Sequence, residues 1–342
     1  MYDNSVSLAN PKQPIMKFRL PLHSLALFVT ILSLLISQPL SMAADGVTIT
    51  KEADNLRVEV NGELFTQYRF SGAPHVYYYP VIGPASLPIT RNHPMQDVEG
   101  ESKDHKHHRS LWFSHGDVNG VDFWAESSKS GRIEHDRFLE IQSGKESGEI
   151  RSTNNWMALD GTVVCTDERL FRVYNRPSNE RLFDFEVTLK AGGEPVVLGD
   201  TKEGSMALRL AESMRLKPNE FNIGKPTGHI VQSTGVRDAD TWGKRAAWTD
   251  YSGLVNGKIV GVAIFDHPDN PRHPTWWHVR DYGLFAANPF GVHDFEKKPE
   301  GTGNLTIPAG ESVTFRYRIY MHEGDEKQGD VAIQYKAYIS NP

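Results

Sequence analysis

Cysteine is almost absent: Cys165 stands alone among 342 residues, so an internal disulfide cannot form. Its setting, Thr162-Val163-Val164-Cys165-Thr166, reads as a buried strand and makes the thiol structural. There is no Gly-rich phosphate loop, no Gly-x-Ser-x-Gly elbow and no Cys–His pair, which moves phosphoryl transfer and serine-type acyl transfer down the list. Positive charge is in deficit, with 37 Lys and Arg against 43 Asp and Glu and a formal net charge of −6, so nucleic acid is not an expected partner. Beyond the first 43 residues no run of about 18 apolar residues occurs, so no membrane-spanning helix is expected.

The N-terminus has the layout of an export signal. Lys17 and Arg19 precede the apolar run Leu25 to Ile36, and Ser41-Met42-Ala43 supplies small residues suited to cleavage before Ala44. Met16 is an alternative start, because residues 1–15 add nothing a signal needs. The apolar run is too short for a stable membrane anchor, and no cysteine at the cleavage point offers a lipid attachment. The expectation is a signal peptide at 1–43 and a single domain at 44–342, free in the periplasm or secreted.

Period-two alternation dominates the rest. Val47 to Thr50, Leu56 to Val60 and Leu64 to Phe70 alternate, the last two around an Asn61-Gly62 turn. Similar runs occur at Arg137 to Gln142, Thr162 to Tyr174, Arg181 to Lys190, Glu194 to Leu198, Met206 to Ala211, Lys258 to Phe265 and Ser312 to Met321. Only Asp330 to Ile339 has a helical period, with Asp330 as candidate N-cap. The fold expected is all-β: a large two-sheet antiparallel β-sandwich of supersandwich or mutarotase type, with a short C-terminal helix. Pro80 to Lys106 and Asp266 to Lys298 read as long, weakly structured loops, where sites tend to sit.

Two stretches concentrate reactive side chains. The first combines Asp104, His105, His107, His108, Arg109, Trp112, His115, Asp117, Asp122 and Trp124. Imidazoles move protons or bind metals near neutral pH, carboxylates orient them, and indoles hold flat sugar faces. If Asp104 to Arg109 is extended, His105 and His107 share one face and His108 takes the other. The candidate metal ligands are then His105, His107 and His108, with His115 or His278 as further donors to a divalent ion. Asp117 to Asp122 has calcium-type oxygens without the twelve-residue spacing, so Asn119-Gly120 reads as a tight turn, with Asp117 or Asp122 orienting a histidine or holding a ligand hydroxyl.

The second stretch runs from Asp266 to Gly291. Its prolines before Trp276 exclude a helix there, and alternation in Trp277-His278-Val279-Arg280 puts His278 and Arg280 on one face, a proton-transfer group beside a fixed cation. Arg91-Asn92-His93-Pro94 reads as part of the rim of the same cleft, Trp248 as a buried strand residue, and Tyr77-Tyr78-Tyr79 as a sugar platform or an ordinary strand.

These blocks, with Gly243 to Trp248 and Asp250 to Gly253, resemble an exported bacterial family labelled methane oxygenase PmoA-like. The methane monooxygenase subunit of that name is a multi-span membrane protein, which this chain does not resemble in hydropathy. A histidine-brace copper site would need histidine as the first mature residue, where Ala44 is expected. The resemblance, with the sandwich, implies a sugar substrate by analogy. Three readings follow. The first is an exported enzyme on a carbohydrate or sugar derivative, working by His-centred acid–base or metal-assisted hydrolysis, elimination or epimerisation. Its catalytic residues would be His107, His108, Arg109, His278 and Arg280, and its binding residues Trp112, His115, Asp117, Asp122, Trp124, Trp276 and Asn288. The second is a non-catalytic carbohydrate-binding sandwich, and the third a His-ligated metal oxidase or oxygenase. The partner is a small molecule or oligosaccharide; oligomeric state is left open.

Overall fold

Alternating apolar and polar residues build eighteen strands among the described residues. The computed structural model describes residues 45–221 and 227–340, together with Met1. The expected export signal lies outside them. In chain order the elements begin β1 (Val47–Lys51), β2 (Asn55–Val60), β3 (Glu63–Arg69), β4 (Tyr77–Val81), β5 (Leu111–His115) and β6 (Arg132–Gln142). They continue as β7 (Ser147–Met157), β8 (Val163–Tyr174), β9 (Glu180–Lys190), β10 (Val196–Leu198), β11 (Gly204–Arg209) and β12 (His229–Gln232). Last come β13 (Trp248–Val255), β14 (Lys258–Asp266), β15 (Trp276–Val279), β16 (Leu284–Asn288), α1 (Val292–Glu296), β17 (Leu305–Ile307), β18 (Ser312–Glu323) and α2 (Val331–Ser340).

One eight-stranded antiparallel sheet runs β1-β2-β3-β4-β5-β11-β16-β15, the other β12-β13-β14-β18-β9-β8-β7-β6, and β10 pairs with β17 as a ribbon. The two large sheets stack as the alternation predicts. Tyr78 of β4 lies 4.2 Å from Phe171 of β8, Phe113 of β5 is 5.9 Å from Phe315 of β18, and Tyr251 of β13 is 6.0 Å from Phe285 of β16. Each such ring taken fully out of water contributes about 1.5–3 kcal/mol. Cys165 is buried in this layer, as expected.

Both expected Asn-Gly turns form. Asn61 and Gly62 have φ of 53° and 79°, Asn119 and Gly120 of 52° and 82°, the paired left-handed geometry of a tight turn; the first joins β2 to β3, the second links the bridged pair Val118 and Val121, and a third such turn, Asn256-Gly257, joins β13 to β14. A buried polar knot ties the sheets together. The Asp167 carboxylate accepts hydrogen bonds from Asn154, from Trp156 Nε1 (2.8 Å) and from Arg169, whose guanidinium also donates to the Phe113 carbonyl in the opposite sheet (3.2 Å).

Two expectations need correction. The stretch Asp266 to Lys298 is not mainly loop: it contains β15, β16 and the five-residue helix α1. Strands β15 and β16 are buried on both faces, so burial does not alternate along them. Helix α2 forms as expected, but Asp330 precedes it at φ 50°, and it caps the helix through its backbone carbonyl, which accepts from the N–H groups of Ile333 (2.8 Å) and Gln334 (3.0 Å). No helix among the described residues is long and apolar enough to cross a membrane.

Candidate functional site

Strand parity decides which side chains reach the site. On β5, Leu111 and Phe113 enter the layer between the sheets, while Trp112 faces the other way. Pairing registers carry that outward row across the sheet as Tyr77, Trp112, Ala207, Ala286 and His278. The two alanines project only methyl groups, so the middle of the row is low and its flanks are high. On β15 the expected alternation holds: Trp277 and Val279 join the inter-sheet core, and His278, followed by Arg280, turns to the outer face.

A cavity of about 460 Å³ on that face brings the two reactive stretches together. His105, His107, His108, Asp122 and Trp124 line it from the first stretch, and His278, Arg280 and Tyr282 from the second. Lys202 and Glu203, in the loop before β11, complete the wall. No local sequence pattern marks Lys202 or Glu203, and Tyr282 stands within the aromatic block of the second stretch.

The segment Asp104 to Arg109 is a turn, not an extended strand. His105 has φ 43° and its carbonyl accepts from the His108 N–H (2.9 Å), so all three imidazoles gather on one side. The turn is clamped from behind by Arg91, which donates to the carbonyls of Asp104 and His105 (both 3.0 Å) and to the Asp104 carboxylate. His105 stacks on both Tyr282 (5.1 Å) and His108 (4.7 Å), which are 6.4 Å apart, all three rings within 8° of parallel. His107 stands edge-on to His108 at 4.4 Å.

Two of the rings have assigned tautomers. His105 Nδ1 is 2.9 Å from Asp104 Oδ2, so it carries the proton and donates, leaving the Nε2 lone pair free. Arg209, buried, donates to His108 Nδ1 (3.2 Å) and to Asp104 Oδ1 (2.9 Å). His108 Nδ1 must therefore accept, and its proton sits on Nε2. Burial works to raise the Asp104 carboxyl, but the His105 hydrogen bond and the Arg209 and Arg91 guanidiniums outweigh it and hold the group well below the usual carboxylate range. Burial first, then the neighbouring cations and rings, pushes His107 down to about 4, His278 to about 3 and His108 far down as well. These three imidazoles are neutral at pH 7.

As placed, His105, His107 and His108 do not form a metal set. Imidazole lone pairs lie in the ring planes, and the nearly parallel planes of His105 and His108 have no common point to aim at. Among the described residues no group of three or more His, Cys, Asp or Glu is arranged to hold a metal ion.

Several expected contributors lie away from the cavity. His115 has the parity of Phe113: it packs on Phe290 (4.5 Å) and donates from Nε2 to the Gly199 carbonyl (2.8 Å), so it is no further ligand. Arg109 forms a two-pronged pair with Glu126 beside buried His75. Trp112 is fully buried and supports His108 from below at 5.4 Å. Asp117 closes its own turn by accepting from Gly120 N (2.8 Å). Trp276 bonds Glu296 through Nε1 (2.9 Å) under the Arg245 guanidinium. Asn288 is buried and acts through the loop, donating to the carbonyls of Thr201 (3.0 Å) and Lys202 (2.8 Å). Asp122 does line the cavity, with one oxygen held by the N–H groups of Trp124 and Ala125.

A larger hollow, about 600 Å³, lies beside His322 and Tyr320. Its imidazole has no free nitrogen: Nε2 meets buried Asp250 (2.8 Å) and Nδ1 the Glu323 carbonyl (3.2 Å). Burial lowers His322, but the Asp250 contact wins and raises it, while burial raises the Asp250 carboxyl; with both ring nitrogens engaged, the imidazole presents no lone pair to the hollow.

Fold and site together define an all-β, two-sheet sandwich with an imidazole-rich hollow on one outer face. Residues 55–336 match the family model DUF6807, a family of unknown function, and the chain belongs to that family. No curated protein matches it. Among solved structures it is similar to an α-galactosidase from Lactobacillus brevis (9% identity, TM-score 0.38, 84% of this chain and 41% of that one). It is also similar to galactose 1-epimerase from Lactobacillus acidophilus (8% identity, TM-score 0.34, 81% and 98%). A third is a GalM/aldose epimerase homologue from C. elegans (8% identity, TM-score 0.29, 82% and 97%). The chain spans about two fifths of the galactosidase's length.

Proposed function

We propose that the chain is an exported enzyme that acts on a carbohydrate or sugar derivative by histidine-centred acid–base chemistry, of elimination or epimerisation type. The observation that carries this reading is the Asp104–His105 pair, with a free Nε2, in one cavity with His278 and Arg280. A base oriented by a carboxylate, facing a fixed cation, suits removal of a proton next to a carbonyl or carboxyl carbon. His105 Nε2 takes that proton, and the C–H electron pair moves into an enolate balanced by Arg280 and the His108 Nε2–H. Return of a proton from water to the opposite face, with His105 releasing its own to solvent, gives the epimer. Alternatively the pair forms a C=C bond, the β C–O bond breaks, and the leaving oxygen takes the proton back from His105.

Hydrolysis by paired carboxylates is less well supported, since Asp122 is engaged by backbone N–H groups and Glu203 lies 3.6 Å from Lys202. Trp124 and Tyr282 supply flat apolar walls of the kind sugar rings stack on.

The test is turnover, and deuterium incorporation from D₂O, across a panel of oligosaccharides and oxidised sugars. His105→Gln should lower kcat at least about 100-fold with KM little changed. Full activity in that variant, or neither turnover nor exchange on any panel member, overturns the proposal.

A further inference from the structure

Among the described residues Arg280 is the one arginine whose guanidinium has neither a hydrogen bond nor an ion pair within the protein. Buried Arg209 meets Asp104 and His108, and Arg109 meets Glu126. Arg280 is instead held between two aromatic faces, 5.8 Å from the Trp242 ring and 5.3 Å from Tyr282. This mounting fixes the planar fork without consuming its donors. A cation kept ready in a protein hollow, with no carboxylate of its own, is a receptor for an anionic group from outside.

Arg280 also lines a second hollow of about 340 Å³, together with Trp242, Asp238 and Asp281. Arg280 thus lines two compartments, the cavity of His105 and His278 and the Trp242 hollow, and its guanidinium lies over one ring from each, Tyr282 and Trp242. The carboxylates of the second hollow are not competing for it. Asp281 pairs with Lys217 (2.6 Å), and Asp238 accepts from Ile230 N (3.0 Å).

We propose that the substrate is a carboxylated oligosaccharide of at least two units, with a uronic-acid carboxylate seated on Arg280 and neighbouring units in the two hollows. This rests on the acid–base reading of the His105 cavity and deepens it, since a carboxylate neutralised by Arg280 acidifies the adjacent C–H that His105 faces.

The probes are trimers of galacturonate, glucuronate and mannuronate, their carboxyl-reduced counterparts, the monomeric uronates and a sulfated neutral trimer, titrated calorimetrically into the full chain. At least one acidic trimer should bind about 10- to 100-fold more tightly than its reduced form, the range expected for a charge-assisted pair. It should also bind at least about tenfold more tightly than the monomer. Arg280→Met, which keeps the stem between the rings, should abolish the preference for the acid while leaving weak binding of the reduced trimer; Arg280→Lys should restore part of it. Equal binding of acidic and reduced trimers, an unchanged preference in Arg280→Met, tighter binding of the sulfated trimer, or no binding of any acidic trimer overturns the proposal. The two readings separate cleanly. Acidic trimers bound through Arg280 but never turned over remove the acid–base reading and leave this one standing, whereas turnover confined to neutral sugars does the reverse.

Discussion

His115→Gln tests the physical account of the buried imidazoles where catalysis is not involved. The ring is 1% exposed, and burial pushes its pKa from 6.5 to about 4, against the smaller opposing effect of the Gly199 carbonyl. A histidine depressed in the folded state stays neutral there while the unfolded chain takes up a proton below about pH 6.5. Stability is therefore unaffected above pH 6.5 and is lost as pH falls from 6.5 towards 4. The shift of about 2.5 units corresponds to about 3 kcal/mol over that window, about 2 kcal/mol of it by pH 5. Glutamine places an amide N–H near the position of Nε2 and does not titrate. Urea unfolding at pH 7.5, 6, 5 and 4.5 should show the variant less stable or equal at pH 7.5, then gaining on the native chain by about 1.4 kcal/mol for each pH unit below 6.5. Other titrating groups are common to both proteins and cancel. Parallel stability profiles would refute the reasoning, because they would mean that His115 is protonated as readily folded as unfolded.

Asp104→Asn removes the acceptor that sets the His105 tautomer and the charge that Arg91 and Arg209 share; kcat should fall about 100-fold, with the acidic limb of the kcat pH profile displaced, and an unaltered profile would contradict the role of the pair. Asp167→Asn leaves Arg169 as a buried cation without its carboxylate and should cost about 3–5 kcal/mol in urea unfolding; a loss below about 1 kcal/mol would show the knot to be dispensable. Ala286→Leu raises the low middle of the outward row and should block binding of the trimers while secondary structure by circular dichroism is unchanged; undiminished binding would place the ligand elsewhere. Because the stacked His105 and His108 planes do not converge, dialysis against a chelator should leave activity within about twofold, and loss restored by an added divalent ion would show that the rings rearrange around a metal.

Strands whose inward positions are apolar were visible in the sequence. The hairpin of β2 and β3 is the clearest, with its alternation and its Asn61-Gly62 turn both realised. Strand β7 was not visible, although its burial alternates perfectly, because two of its inward residues are polar: Ser152 and Asn154 are 1% and 0% exposed. Only the tertiary partners Asp167 and Tyr68 make those positions tolerable. The meeting of the two reactive stretches was legible from residue types, whereas the membership of the site was not. Parity excluded His115 once the bounds and register of β5 were fixed, and the tight turn at His105 depends on Arg91, fourteen residues away in the chain. The unpartnered state of Arg280 is a property of everything around it, which no local pattern records.

Burial of the imidazoles links stability to chemistry. A cavity lined by four histidines would, with ordinary pKa values, gather positive charge on mild acidification and hold anions indiscriminately. Burial keeps His107, His108 and His278 neutral well below pH 6, so the unpaired positive charge facing the hollow near neutral pH belongs chiefly to Arg280. A single fixed cation selects by position as well as by sign: an anionic group must fit between Trp242 and Tyr282 to reach it. The same desolvation makes the fold sensitive to acid, so selectivity for a carboxylate and loss of stability below pH 6.5 are two effects of one arrangement. A variant that relieves acid sensitivity by letting water reach His278, so that the ring charges on acidification, should also weaken discrimination at Arg280, whereas one at His115, outside the hollow, should leave it intact.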